Sequence, residues 1–262
     1  MDKLNRPVFA IGTGRCGTHL LESLLQPQKN VAAHHIVDLD GDSFYRYCKW
    51  NELNVDDAGL IRHRKAHIDQ AAGNGFVYFE SNPYLSFHVK EFSEKLNARF
   101  IHIIRNPVDV VRSHIVKGWY TENPVHDDPS RATGFQYGMR TNHFFGRIIP
   151  RGTQLQPWLD LSQVGKIAWM WNTVNMSIHR QLLALPEEDR FIVRIEDLNY
   201  DIYREMITFM GLSAELDAVR YEAIVTSRPG KGKKTVLDQW SAGERREFDR
   251  EVAEASAVFN YV

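Results

Sequence analysis

The chain has 262 residues, 43% of them hydrophobic and 25% charged, with a formal net charge of −1. That is the composition of an ordinary globular protein long enough to bury a sizeable core, and it leaves no global field to recruit nucleic acid or an acidic membrane, so any anion site must be local. Two cysteines, Cys16 and Cys48, offer neither a disulfide framework nor metal-ligand spacing, and with no signal-peptide pattern or apolar run of membrane-spanning length the expectation is a single cytoplasmic domain over 1–262.

Four apolar residues at 8–11 read as a short buried strand, and Gly12, Gly14 and Gly17 then interrupt the pattern. From Thr18 onward Leu20, Leu21, Leu24 and Leu25 recur at helical spacing. Strand, glycine loop and helix aim backbone N–H groups and the positive end of a helix dipole at one point, which suits a phosphate. Arg15 adds a charge and Thr18 a hydroxyl. A Walker A loop fits the spacing of Gly12 and Gly17, but Thr18 stands where its lysine belongs and His19 where its magnesium-binding hydroxyl belongs. This disfavours a nucleotide or small-molecule kinase. The dinucleotide fingerprint GxGxxG is satisfied, but its acidic partner about 20 residues on could only be Asp38 or Asp40, after a strand that His34 and His35 interrupt. A glycine turn that binds nothing is the bland alternative. Arg15-Cys16-Gly17-Thr18 resembles the 5′-phosphosulfate loop of sulfotransferases: a basic residue, Ser or Cys, Gly, then Thr or Ser.

Farther along, 30–37 reads as a second short strand. Adjacent histidines alternate faces of a strand, so His34 and His35 do not readily share one metal; they read as structural or substrate-side. Residues 38–41 read as a turn, 44–50 as a helix with an aromatic face, 51–58 as a loop, and 66–72 as a helix ended by Gly73-Asn74-Gly75. The next strand, 76–79, delivers Glu80 at its carboxyl end, the edge at which ligands gather in open parallel sheets. Glu80-Ser81-Asn82-Pro83-Tyr84 partly resembles the segment that carries the catalytic glutamate of carbohydrate sulfotransferases. Ser81 replaces a lysine common there, and Tyr84 comes one residue early. The alternative for Glu80 is a strand-end carboxylate in a salt bridge.

Residues 87–96 read as an amphipathic helix and 99–104 as a buried strand leading into Arg105-Asn106-Pro107. Arg105 is a fork donor suited to phosphate, Pro107 starts a helix, and Ser113 lies eight positions after Arg105 on a helix face that can turn back to the same anion. This run resembles the 3′-phosphate signature of sulfotransferases. Residues 115–165 have no stable periodicity and read as acceptor-side loops; His114, His126 and His143 read as surface or supporting histidines. A helix over 166–185 carries Trp171 as core, 191–195 is a further strand, and Glu196-Asp197-Leu198 and Phe209-Met210-Gly211-Leu212 resemble later landmarks of the family. The run 227–234, with Arg228, Lys231, Gly232 and Lys233, is either a solvated basic loop or a second clamp on the 3′-phosphate. Trp240 and a helix over 242–259 close the resemblance.

Taken together, the resemblance implies an α/β fold of three layers, related to P-loop kinases, with a central parallel sheet flanked by helices. It implies 3′-phosphoadenosine 5′-phosphosulfate (PAPS) as donor, 3′-phosphoadenosine 5′-phosphate (PAP) as product, no metal, and a small-molecule or carbohydrate acceptor. It implies Glu80 as base, Arg15 as stabiliser of the leaving phosphate, and nucleotide contacts from Gly14, Arg15, Cys16, Gly17, Thr18, His19, Arg105, Ser113, Arg228, Lys231, Gly232 and Lys233. His34, His35, Tyr84 and His143 fall to the acceptor side. Leu20 where cytosolic members place an aromatic, and Glu80 in place of a base histidine, lie nearer the carbohydrate-type branch. A non-catalytic nucleotide-binding protein is the remaining alternative.

Overall fold

The computed structural model describes residues 6–128, 133, 147–227 and 240–261. Five strands form one parallel sheet: β1 (Val8–Ile11), β2 (Val31–His35), β3 (Val77–Ser81), β4 (Arg99–Ile104) and β5 (Arg190–Arg194), in the order β2-β3-β1-β4-β5. Central β1 is buried at every position, as expected of a parallel strand covered on both faces. Val8 and Ala10 face one layer, which includes α1 (Thr18–Leu25), α8 (Tyr200–Phe209) and α9 (Ala218–Ser227). Phe9 and Ile11 face the other, built from α3 (Ala58–Gly73), α4 (Val89–Leu96), α5 (Pro107–Val116), α7 (Gln163–Leu183) and α10 (Ala242–Val258). Helices α2 (Leu39–Trp50) and α6 (Leu155–Leu159) complete the ten α-helices of the described residues. The expected α/β class with helices on both faces is what is seen. None of the described helices is long and apolar enough to cross a membrane.

The connectivity positions the site. From β1 the chain moves toward β2 on one side; from β4, the neighbour of β1, it moves toward β5 on the other. The loops leaving β1 and β4 therefore flank a switch point at the carboxyl edge, where open parallel sheets leave a crevice.

Several boundaries differ from expectation. Asp38 begins a helix rather than a turn: its side chain accepts from the Gly41 N–H at 3.0 Å and caps α2. Helix α3 starts at Ala58, eight residues ahead of the expected 66, because His63, Arg64 and His67 hide its periodicity. Strand β3 continues through Glu80 to Ser81, and that extension decides the fate of Glu80.

Candidate active site

The loop after β1 has the geometry its glycines predict. Gly14 (φ 78°), Arg15 (φ 56°) and Gly17 (φ 108°) all adopt positive φ, and such turns cup successive N–H groups into an anion-binding concavity. A Cβ on Gly17 would lie 2.7 Å from Ile195 Cδ1, so this glycine is required by space as well as by conformation. Helix α1 then starts at Thr18 with Gly17 as its N-cap. The Cys16 side chain is turned inward, and burial pushes its thiol up to about 11; only its backbone is left for an anion. Arg15 is exposed.

Arg105 leaves the end of β4. The Trp171 indole N–H donates to its carbonyl at 3.0 Å, and Asn106 caps α5 by accepting from the Val108 N–H at 2.9 Å. Two turns along α5, Ser113 accepts a hydrogen bond from Arg15 Nε at 2.8 Å. Arg105 Nη1 in turn donates to the Arg15 carbonyl at 3.2 Å. The two motifs, 98 residues apart at Arg15 and Ser113, therefore meet in one place.

They open onto a cleft of about 470 Å³ whose lining includes Gly14, Arg15, Gly17, Thr18, His19, His35, Tyr84 and Arg105. The lining also includes Arg46 and His114, which the sequence reading did not place in the site, and Lys117 and Trp119, which come from the stretch 115–165 read as acceptor-side. His35 Nδ1 lies 3.0 Å from Ser81 Oγ, and Ser81 Oγ lies 3.5 Å from the His34 carbonyl. A carbonyl only accepts, so the chain runs from His35 Nδ1–H to Ser81 O–H to that carbonyl. His35 Nε2 then carries the lone pair. Burial, reinforced by His19 with its ring centroid 3.7 Å away, pulls His35 down to about 4. His114 is likewise neutral. Its Nδ1 donates to the Val110 carbonyl at 2.9 Å, its Nε2 is buried without a partner, and burial brings it to about 4.

Glu80 does not face this cleft, which corrects the expectation that it is the base. It is fully buried within β3. Its carboxylate lies 2.8 Å from the Arg64 guanidinium and accepts from Tyr78 Oη at 2.8 Å and Asn82 Nδ2 at 2.8 Å. Arg64 also pairs with buried Asp42 at 2.5 Å, and burial pushes the Asp42 carboxyl up to about 7. Because β3 extends past Glu80, the side-chain alternation turns this residue toward α2 and α3 and presents Ser81 to the cleft side. The salt-bridge alternative holds. His34, paired in register with Glu80, also points away from the cleft, its ring 5.3 Å from that of Tyr78. Removing Arg64 leaves two buried carboxylates uncompensated. Arg64→Met is expected to cost about 3–5 kcal/mol, read as a lower midpoint in chemical denaturation.

Buried histidines also set the acid response. Burial lowers His88 and His114 to about 4 and His102 to about 3. Their folded values lie below the ordinary 6.5, so the unfolded chain binds more protons and stability falls as pH drops from about 6.5 toward 4. Asp42 acts in the opposite sense, since its folded value is raised. With His35, also drawn down to about 4, four histidines against one carboxyl predict a net loss of thermal midpoint from pH 7 to pH 5; an unchanged or rising midpoint would contradict it.

His143, Arg228, Lys231, Gly232 and Lys233 lie outside the described residues. Among the described residues no group of three or more His, Cys, Asp or Glu side chains could hold a metal ion.

The sheet order, the glycine loop and the crevice it faces define an α/β protein with an anion-type loop at its switch point. Its fold is shared with solved sulfotransferase domains. The sulfotransferase domain from the Synechococcus PCC 7002 olefin synthase is 14% identical with a TM-score of 0.52, over 100% of this chain and 98% of that one. The sulfotransferase domain from the curacin biosynthetic pathway is 14% identical with a TM-score of 0.51, over 96% and 99%. Sulfotransferase STF9 from Mycobacterium avium is 12% identical with a TM-score of 0.59, over 99% of this chain and 78% of that one. No family model matches the sequence, and no curated protein is detectably similar to it.

Proposed function

We propose that this protein is a PAPS-dependent sulfotransferase that moves the sulfuryl group to an acceptor hydroxyl. The observation that carries this reading is the meeting of two anion motifs, with Arg15 bonded to Ser113 and Arg105 bonded to the Arg15 backbone. One loop suits the 5′-phosphosulfate, the Arg105–Ser113 pair suits the 3′-phosphate, and the cleft beyond them is roomy enough for an acceptor. The fold shared with sulfotransferase domains supports the same reading.

In this scheme the acceptor oxygen attacks sulfur in line with the bridging oxygen. The bond from sulfur to that oxygen breaks and its electrons pass to the departing PAP. Arg15 and the N–H groups of Gly14 to Thr18 stabilise the charge that grows there. The acceptor proton goes to Nε2 of His35, which takes the role first expected of Glu80. Glu80, with Arg64 and Asn82, holds the ends of β2 and β3 in register, since its carboxylate also accepts from the Val37 N–H at 3.3 Å. The scheme uses side-chain and backbone charge at each step and routes none through a metal. A thermal-shift panel of PAP, adenosine 5′-phosphate, ATP with Mg²⁺ and NAD tests it. PAP is expected to give the largest shift and to keep it in EDTA; a shift seen only with ATP and Mg²⁺ would point to a kinase, and one seen only with NAD to an oxidoreductase.

A further inference from the structure

The lining of the cleft contains four cations, Arg15, Arg46, Arg105 and Lys117, and no Asp or Glu among its described residues. Arg15 and Arg105 belong to the two donor motifs. Arg46 and Lys117 come from elsewhere. Arg46 lies on α2, is 3% exposed, donates from Nη1 to the Pro83 carbonyl at 2.7 Å, and lies 4.6 Å over the Phe87 ring. Pro83 in turn packs 3.7 Å from where a Cβ of Gly14 would sit, so Arg46 is tied through Pro83 to the glycine loop. Lys117 is exposed at the end of α5, beside His114 and Trp119. Apolar and aromatic surface lines the same cleft, from Leu20, Ile36, Pro83, Tyr84 and Trp119. Burying a guanidinium costs free energy, seen in the fall of Arg46 to about 10, and a cation held in a low-dielectric wall attracts an anion strongly.

We infer that the acceptor is itself an anion: an apolar alcohol or phenol bearing a carboxylate or equivalent acidic group, which Arg46 and Lys117 hold while its hydroxyl meets the sulfuryl group. This rests on the sulfuryl-transfer reading and narrows its acceptor class. The hydroxyl oxygen forms the new bond to sulfur and loses its proton; the acidic group takes no part in bond making and serves to orient.

The test uses the full chain loaded with PAP, whose own titration reports on the donor reading independently. Matched pairs are then titrated by calorimetry: 4-hydroxyphenylacetate against its methyl ester, and 3-hydroxydecanoate against its methyl ester. In at least one pair the acid is expected to bind about tenfold or more tightly than the ester, as a charge-assisted contact provides. Lys117→Ala, an exposed position that should not disturb folding, is expected to shrink that preference severalfold and leave PAP affinity within about twofold. Arg46→Gln, if it folds, should shrink it further. Failure of PAP to bind would strike the donor reading. PAP binding with no acid preferred over its ester in either pair, or a preference that Lys117→Ala leaves intact, would overturn the anionic acceptor.

Discussion

Replacing Arg15 with alanine is expected to lower kcat by about 10²–10³-fold, the loss typical of a removed donor aimed at developing charge. The guanidinium is exposed and lines the cleft, and its Nε donates to Ser113 Oγ at 2.8 Å. That contact presets the side chain between the two anion motifs without neutralising it, because a serine hydroxyl carries no charge. The bridging oxygen gains negative charge only as the bond to sulfur breaks. A donor aimed there therefore contributes more to the transition state than to the ground state. The backbone cup of Gly14 to Thr18 stays in place in the variant, so PAP affinity should fall by a smaller factor than kcat. Steady-state kinetics beside PAP calorimetry separates the two. Equal losses in affinity and none in kcat would make Arg15 a ground-state anchor.

His35→Asn is expected to lose about 10²–10⁴-fold in kcat, the usual contribution of a positioned proton acceptor, with PAP binding unchanged. His35 stands at the carboxyl end of β2, with its ring oriented by Ser81 and its Nε2 bearing the lone pair. A ring drawn down to about 4 is in its base form throughout the neutral range, so the acid limb of kcat/KM in wild type should lie well below the ordinary histidine value of about 6.5. Ser81→Ala should produce a smaller loss, since it frees the ring without removing it. His114→Gln is the necessary comparison: its Nε2 is also unprotonated and lacks a partner. A large kcat loss in His114→Gln together with full activity in His35→Asn would move the proton acceptor to α5.

Much of the site's frame was legible because its signals are local. Gly12, Gly14 and Gly17 after an apolar run, and Pro107 after Arg105, each mark a backbone geometry that few other residues adopt, so the loop, α1 and α5 appear where expected. Their meeting was legible only through the resemblance, since no local pattern shows Arg15 reaching Ser113. Glu80 was misplaced by one physical detail, the length of β3. Phe79 is the last apolar letter, and the polar run Glu80-Ser81-Asn82 resembles a loop, yet Glu80 and Ser81 continue the strand because Arg64 and Asp42 supply buried partners to Glu80 and Asn82. Those partners come from α2 and α3, where charged letters read as surface. Arg46 was hidden for the same reason: a buried cation has the sequence signature of an exposed one. His114 lies on a helix whose far end faded into a stretch without periodicity, so neither its burial nor its place on the cleft wall could be read. Asp38 stands directly before Leu39, the first residue of α2, but the helical pattern in the sequence becomes plain only from Phe44, so its capping role reads as a turn.

The most direct test of the central claim is calorimetry of PAP against adenosine 5′-phosphate in EDTA, on wild type and on Arg105→Ala. The two ligands differ only in the 3′-phosphate, and charge-assisted hydrogen bonds contribute roughly 1.5–3 kcal/mol each. Wild type is therefore expected to prefer PAP by about 10²-fold, and Arg105→Ala to lose most of that preference while binding adenosine 5′-phosphate as before. Equal affinity of wild type for the two ligands would contradict the assignment of Arg105 and Ser113 to a 3′-phosphate, and with it the sulfotransferase reading of the cleft.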